Sequence, residues 1–145
     1  MRTLAAALRP LRAAVWQRRL AATGATERLV EARRWLRASP EEVEREQRAR
    51  LTRLLAHAWA KVPHYREALE AAGVVATRAE GQPEVHLERF TALPPLSKRD
   101  LQERFAALTS EDAAERGAYT SSTGGSTGEP VRFLHDSERH AWGLA

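Results

Sequence analysis

The chain has no cysteine among its 145 residues, and only two lysines, Lys61 and Lys98, beside 21 arginines. Without cysteine there can be no disulfide and no thiolate metal site, which fits a cytoplasmic protein. No apolar run approaches the roughly 20 residues that cross a bilayer. A secretory signal needs an unbroken apolar core near its start, and Arg9, Pro10 and Arg12 interrupt that region. No internal repeat is visible.

What is present suits one domain or part of a larger one: 43% of the residues are hydrophobic, enough to build a core. The net charge of +4 is unevenly spread. Residues 1–38 carry nine arginines against Glu27 and Glu31, a balance of +7, whereas the rest carries 14 basic and 17 acidic side chains, a balance of −3. Such a bias towards arginine and alanine is what a GC-rich coding sequence produces, so the arginines need not each be functional.

Three segments are expected: a basic helical arm over 1–38, a helical portion over 39–118, and a glycine-rich loop with its flanking strand and the start of a helix over 119–145. In the arm, Leu4, Leu8, Leu11 and Val15 share one helical face. Pro10 kinks that helix or opens it. Thr23 and Gly24 interrupt the pattern, and a second helix is expected over 26–37 with Leu29, Ala32 and Leu36 inward. Ser39, Pro40 and Glu42 form a capping box at the start of a third helix. Its apolar stripe is Leu51, Leu54, Leu55, Ala58 and Trp59. Val62 precedes a proline and is expected to be non-helical. Pro63 opens a short helix closed by Gly73. Residues 76–85 read as a surface connection. Ser97 and Asp100 signal another helix, followed by Leu101, Phe105 and Leu108. Tyr119–Ser121 and Pro130–His135 read as strands, and Asp136 or Ser137 as the cap of a new helix bearing Ala141, Trp142 and Leu144.

From Ser121 to Gly128 there are only small or hydroxylated residues: Ser121, Ser122, Thr123, Gly124, Gly125, Ser126, Thr127 and Gly128. Glycines let the backbone approach a ligand closely, and successive N–H groups can form an anion-binding nest. No lysine follows Gly128, which excludes a Walker loop, and the glycine spacing does not suit a dinucleotide fingerprint. From composition alone the segment reads either as a phosphate-binding loop or as a flexible Gly/Ser linker.

Gly125-Ser126-Thr127-Gly128-Glu129-Pro130 resembles the signature loop of adenylate-forming enzymes, T-S-G-[ST]-T-G-x-P, and the nearer likeness is to the phenylacetate–CoA ligase and CapK branch. Two upstream blocks extend it. Leu54-Leu55-Ala56-His57-Ala58-Trp59-Ala60-Lys61-Val62-Pro63-His64-Tyr65-Arg66 looks like that branch's L-L-x-H-A-[YW]-x-x-V-P-x-Y-R. Leu93-Pro94-Pro95-Leu96-Ser97-Lys98-Arg99-Asp100-Leu101 looks like its L-P-x-[LT]-[ST]-K-x-D-L. Gly124 stands where serine is usual, and Val131 where many members of the wider superfamily have lysine, which leaves open the cation that serves the phosphates.

The resemblance implies a mainly helical N-terminal segment followed by a short hairpin carrying the loop, within the larger α/β adenylate-forming fold. It implies ATP-dependent activation of a carboxylic acid to an acyl-adenylate, with magnesium on the phosphates and coenzyme A as acceptor. Ser122, Thr123, Gly124, Gly125, Ser126, Thr127 and Gly128 would then contact the β- and γ-phosphates. The catalytic residues are not identified. The family's adenine contacts, acidic metal ligand and acyl pocket lie downstream of the loop, so this chain reads as an N-terminal fragment expected not to turn over ATP alone.

Other features have plainer readings. His57 and His64 lack a zinc-ligand pattern and are expected to pack and hydrogen-bond between helices. Arg2, Arg9, Arg12, Arg18 and Arg19 precede the first acid. They suit a helix packed on the enzyme with its arginines reaching solvent. The competing, non-enzymatic reading is a helical module whose residues 1–22 bind an anionic membrane surface or a protein partner. No nucleic-acid-binding motif is present.

Overall fold

A computed structural model describes residues 23–79, 81–124 and 128–144. The chain is mainly helical, with two small antiparallel hairpins. Two compact units divide it: Ser39–His135, and Met1–Ala38 with Asp136–Ala145.

In the Ser39–His135 unit, helix α2 (Pro40–Lys61) opens on the capping box. The Glu42 amide donates to Ser39 Oγ at 3.3 Å, and the Ser39 amide donates to the Glu42 carboxylate at 2.9 Å. Two N–H groups that the helix itself cannot satisfy are thereby paired. Leu51, Leu55, Ala58 and Trp59 turn to the core as expected. Leu54 does not; it is 61% exposed. Its Cα lies about a quarter-turn from the centre of the arc formed by the other four, given 3.6 residues per turn.

Val62 takes an extended conformation and separates α2 from α3 (Pro63–Ala71). The last carbonyls of α3 are closed by the Gly73 amide on the Glu70 carbonyl and the Val74 amide on the Leu69 carbonyl, both at 2.9 Å. This crossed pair requires the left-handed φ of 64° at Gly73, a conformation glycine adopts without steric cost. It also drives Val74 back against Leu69, and both are fully buried. With Leu55 and Val75 they form the unit's core.

The segment 76–85, expected to be a surface connection, is instead part of a hairpin: β1 (Val75–Thr77) pairs with β2 (Pro83–Val85). The apolar pair Val75 and Val85 stands in register at the core end. Arg78 clasps Glu84 through two guanidinium nitrogens at 2.9 and 3.1 Å. Three-residue strands are too short to show a period-two pattern in sequence, so the burial of Val75 decides the structure.

A 3₁₀ helix (Leu87–Ala92) leads through Leu93 to α4 (Lys98–Glu103), whose capping box joins Ser97 to Asp100. Helix α4 ends before Phe105 and Leu108, which fall in turns. There the Thr109 hydroxyl takes the Phe105 carbonyl at 2.8 Å, an alternative to helical pairing. The turn segment also serves the junction of the two long helices. The Glu111 amide donates to the Lys61 carbonyl at the end of α2, and the His64 amide at the start of α3 donates to the Ala107 carbonyl. Strands β3 (Tyr119–Ser122) and β4 (Arg132–His135) complete this unit.

In the other unit, α1 (Ala25–Trp35) packs with α5 (Ser137–Leu144). Asp136 is the cap of α5, its carboxylate accepting the Arg139 amide at 2.8 Å. Arg28 bridges the helices: it pairs with Glu31 and Glu138 and lies 5.4 Å over the Trp142 ring. Leu36, expected inward, follows the end of α1 and is 86% exposed. Residues 1–22, and with them the expected arm helix, lie outside the described residues. Among the described residues no helix is long and apolar enough to cross a membrane.

Candidate functional site

The β3–β4 hairpin fixes both ends of the glycine-rich loop. Its register pairs Tyr119 with His135, Thr120 with Leu134, Ser121 with Phe133 and Ser122 with Arg132. Period-two alternation puts Tyr119, Ser121, Phe133 and His135 on one face. There the His135 ring meets Phe133 edge-on at 4.8 Å and Tyr119 at 5.6 Å. One step beyond the last strand pair, Thr123 and Val131 bond twice. The Thr123 amide donates to the Val131 carbonyl at 3.0 Å, and the Val131 amide donates to Thr123 Oγ1 at 3.1 Å. The loop therefore leaves from a closed neck.

Of the residues expected to hold phosphate, the structure brings Ser122, Thr123, Gly124 and Gly128 to this end of the hairpin, all exposed. Gly125, Ser126 and Thr127 lie outside the described residues. Gly128 has φ of 122°, a region that disfavours side chains, whereas Gly124 stands in open space. Glu129 is the first carboxylate after the loop and is exposed.

The sequence reading did not single out the cation at the loop's rim. A Cβ built on Gly128 would stand 3.8 Å from Nζ of Lys98, at the start of α4. The neighbouring basic groups of α4 are engaged: Arg99 with Glu103 at 2.7 Å and Arg104 with Asp100 at 3.6 Å. Arg132 lies over the Phe105 ring at 4.8 Å. Lys98 is exposed and, among the described residues, has no ion-pair partner. The available signal was its place in the Leu93–Leu101 block, with Lys98 thirty residues before Gly128.

Asp100, in the capping box that starts α4, is held below the ordinary aspartate range. The Ser97 hydroxyl contributes most and the Ser97 amide next. It accepts the amide at 2.9 Å and the hydroxyl at 2.6 Å. An ionised Asp100 thus anchors the turn that presents Lys98.

A serine, a histidine and an aspartate also meet where the turn segment crosses α2. Ser110 Oγ lies 3.3 Å from His57 Nε2 and donates to Asp112, and the Asp112 carboxylate is 3.7 Å from the same His57 nitrogen. A nucleophilic triad needs the carboxylate on the far nitrogen of the imidazole, with the serine proton directed to the near one. Here the serine proton goes to the carboxylate, so the cluster fastens the turn to α2. The Ser110 hydrogen bond is also the main cause of a lowered Asp112 pKa. In the other unit, α1 and α5 border an open cavity of about 670 Å³ lined by Glu27, Arg28, Glu138 and His140 among others. Among the described residues that line it, the guanidinium of Arg28 is already paired with Glu31 and Glu138.

Comparisons with protein-family models, with curated proteins and with solved structures find no match for this chain.

Proposed function

We propose that the β3–β4 loop and Lys98 together bind the pyrophosphate portion of ATP, and that the chain belongs to a carboxylate-activating enzyme of the phenylacetate–CoA ligase and CapK type. The observation that carries this reading is the pairing of a pinned, exposed, glycine-bearing loop with a lysine ammonium at its edge. Backbone N–H groups and hydroxyls can cradle phosphate oxygens, and an ammonium group with no carboxylate bound to it can offset their charge. Lys98 supplies the cation that the Val131 position lacks, and Gly128 leaves the space beside it clear.

In the proposed reaction the acid's carboxylate oxygen attacks the α-phosphorus of ATP. The bond to the bridging oxygen breaks, giving acyl-adenylate and pyrophosphate, and coenzyme A then takes the acyl group and releases AMP. This chain's part is to orient the β- and γ-phosphates and to balance charge on the leaving pyrophosphate, positioning and electrostatics being the main levers in such chemistry. Magnesium would be held through oxygen ligands, the phosphates among them.

Titration of the 145-residue chain with pyrophosphate in chelator, followed by calorimetry, tests the loop's role. Saturable binding is expected, weakening as salt rises. Lys98→Ala is expected to lower affinity by roughly tenfold or more, the scale of a charge-assisted hydrogen bond. Absence of saturable binding at millimolar pyrophosphate, or an unaltered affinity in Lys98→Ala, would overturn it.

A further inference from the structure

The outgoing limb of the loop is held from outside its own hairpin. Lys98 and Gln102 stand at i and i+4 on one face of α4, and Phe105 follows in the turn after the helix. They meet the chain after the loop in matching order. Lys98 Nζ borders Gly128, the Gln102 side-chain amide donates to the Glu129 carbonyl at 2.9 Å, and the Phe105 ring receives the Arg132 guanidinium at 4.8 Å. The Glu129 carbonyl lies beyond the Thr123–Val131 neck, outside the strand ladder of the described residues, and its donor comes from α4.

We infer that Gln102 is a positioning residue for the anion site: by holding the Glu129 carbonyl it keeps Gly128 against the Lys98 ammonium, so that loop and cation act on one ligand. The consequence for pyrophosphate rests on the function proposed for the loop. Gln102 itself need not touch the ligand. Arg132 supports the same limb through Phe105, and the capping box at Ser97 and Asp100 fixes the start of the helix from which Lys98 and Gln102 project.

The test uses the full chain with Gln102→Met, which keeps length and removes the donor, and Gln102→Glu, which replaces the donor by an acceptor at neutral pH. In the ligand-free protein, NMR is expected to show a through-space contact between the Lys98 side chain and the Gly128 Cα protons. That contact is expected to be lost in both variants, with a shifted Gly128 amide, while Leu69 and Val75 signals and the unfolding temperature stay put. Pyrophosphate affinity is expected to fall about three- to tenfold, the scale of one hydrogen bond. The Lys98→Ala substitution is then expected to cost less than half as many fold in the Gln102→Met background as in the natural sequence, because a displaced loop no longer shares its ligand with Lys98. A retained Lys98–Gly128 contact in either folded variant would overturn the inference, as would effects of the two substitutions that simply multiply. Were the natural chain to bind no pyrophosphate, the proposed function would fall, and the ligand-free contact alone would decide the role of Gln102.

Discussion

Thr123 and Val131 hold each other at both polar ends: the backbone amide and hydroxyl of Thr123 pair with the carbonyl and amide of Val131, at 3.0 and 3.1 Å. One of these bonds depends on a side chain. Thr123→Val keeps the shape and removes the hydroxyl, leaving the Val131 amide exposed to water. Hydrogen exchange at Val131 is expected to quicken by roughly tenfold, as for the loss of about one net hydrogen bond, with the core amides unaffected. An unchanged exchange rate would mean that the hydroxyl does not hold the neck.

Leu69 fills the centre of the Ser39–His135 unit and is fully buried. Leu69→Ala is expected to cost about 2–5 kcal/mol, the transfer term plus the cavity it leaves. Leu54→Ala, at a site 61% exposed on α2, is expected to cost less than about 1 kcal/mol. Chemical denaturation of the two variants measures both, and comparable losses would contradict the burial difference between them.

Gly73→Ala meets two obstacles at once. Its φ of 64° disfavours any side chain, and an added Cβ would lie 2.6 Å from an Arg89 guanidinium nitrogen. The arginine tip can swing away, so the backbone cost dominates, and a loss of about 1 kcal/mol or more is expected. Gly124→Ala, with open space around it, is expected to leave stability nearly unchanged. Thermal unfolding of the pair distinguishes the positions.

Acid is expected to loosen α4. The Asp100 carboxyl sits below its ordinary value of 3.8 because it accepts the Ser97 hydroxyl and amide. The resulting stability is fully present above that ordinary value and is lost as pH falls through the lower folded one. Between pH 5 and pH 2 the unfolding temperature is therefore expected to drop, and Asp100→Asn to drop less steeply. Parallel curves for the two proteins would exclude Asp100 as a contributor.

The sequence by itself determined the elements whose signals are local. The capping boxes at Ser39 and Ser97, the break at Val62 before Pro63, the Gly73 helix stop and the Asp136-or-Ser137 start all rest on neighbours within a few residues, where backbone sterics and N–H pairing decide. The glycine-rich stretch was legible in the same way, as a loop between two short strands. Tertiary structure decided what depends on distant partners. Val75 and Val85 form a hairpin because a core lies beneath them, Leu54 faces outward because packing, unlike periodicity, selects the centre of an apolar arc, and Leu36 is exposed where α1 has already ended. The site divides along the same line. Composition marked Ser122, Thr123, Gly124 and Gly128. Only the fold brought Lys98 to Gly128 and Gln102 to Glu129, because those contacts join segments about thirty residues apart and neither is implied by local chain geometry.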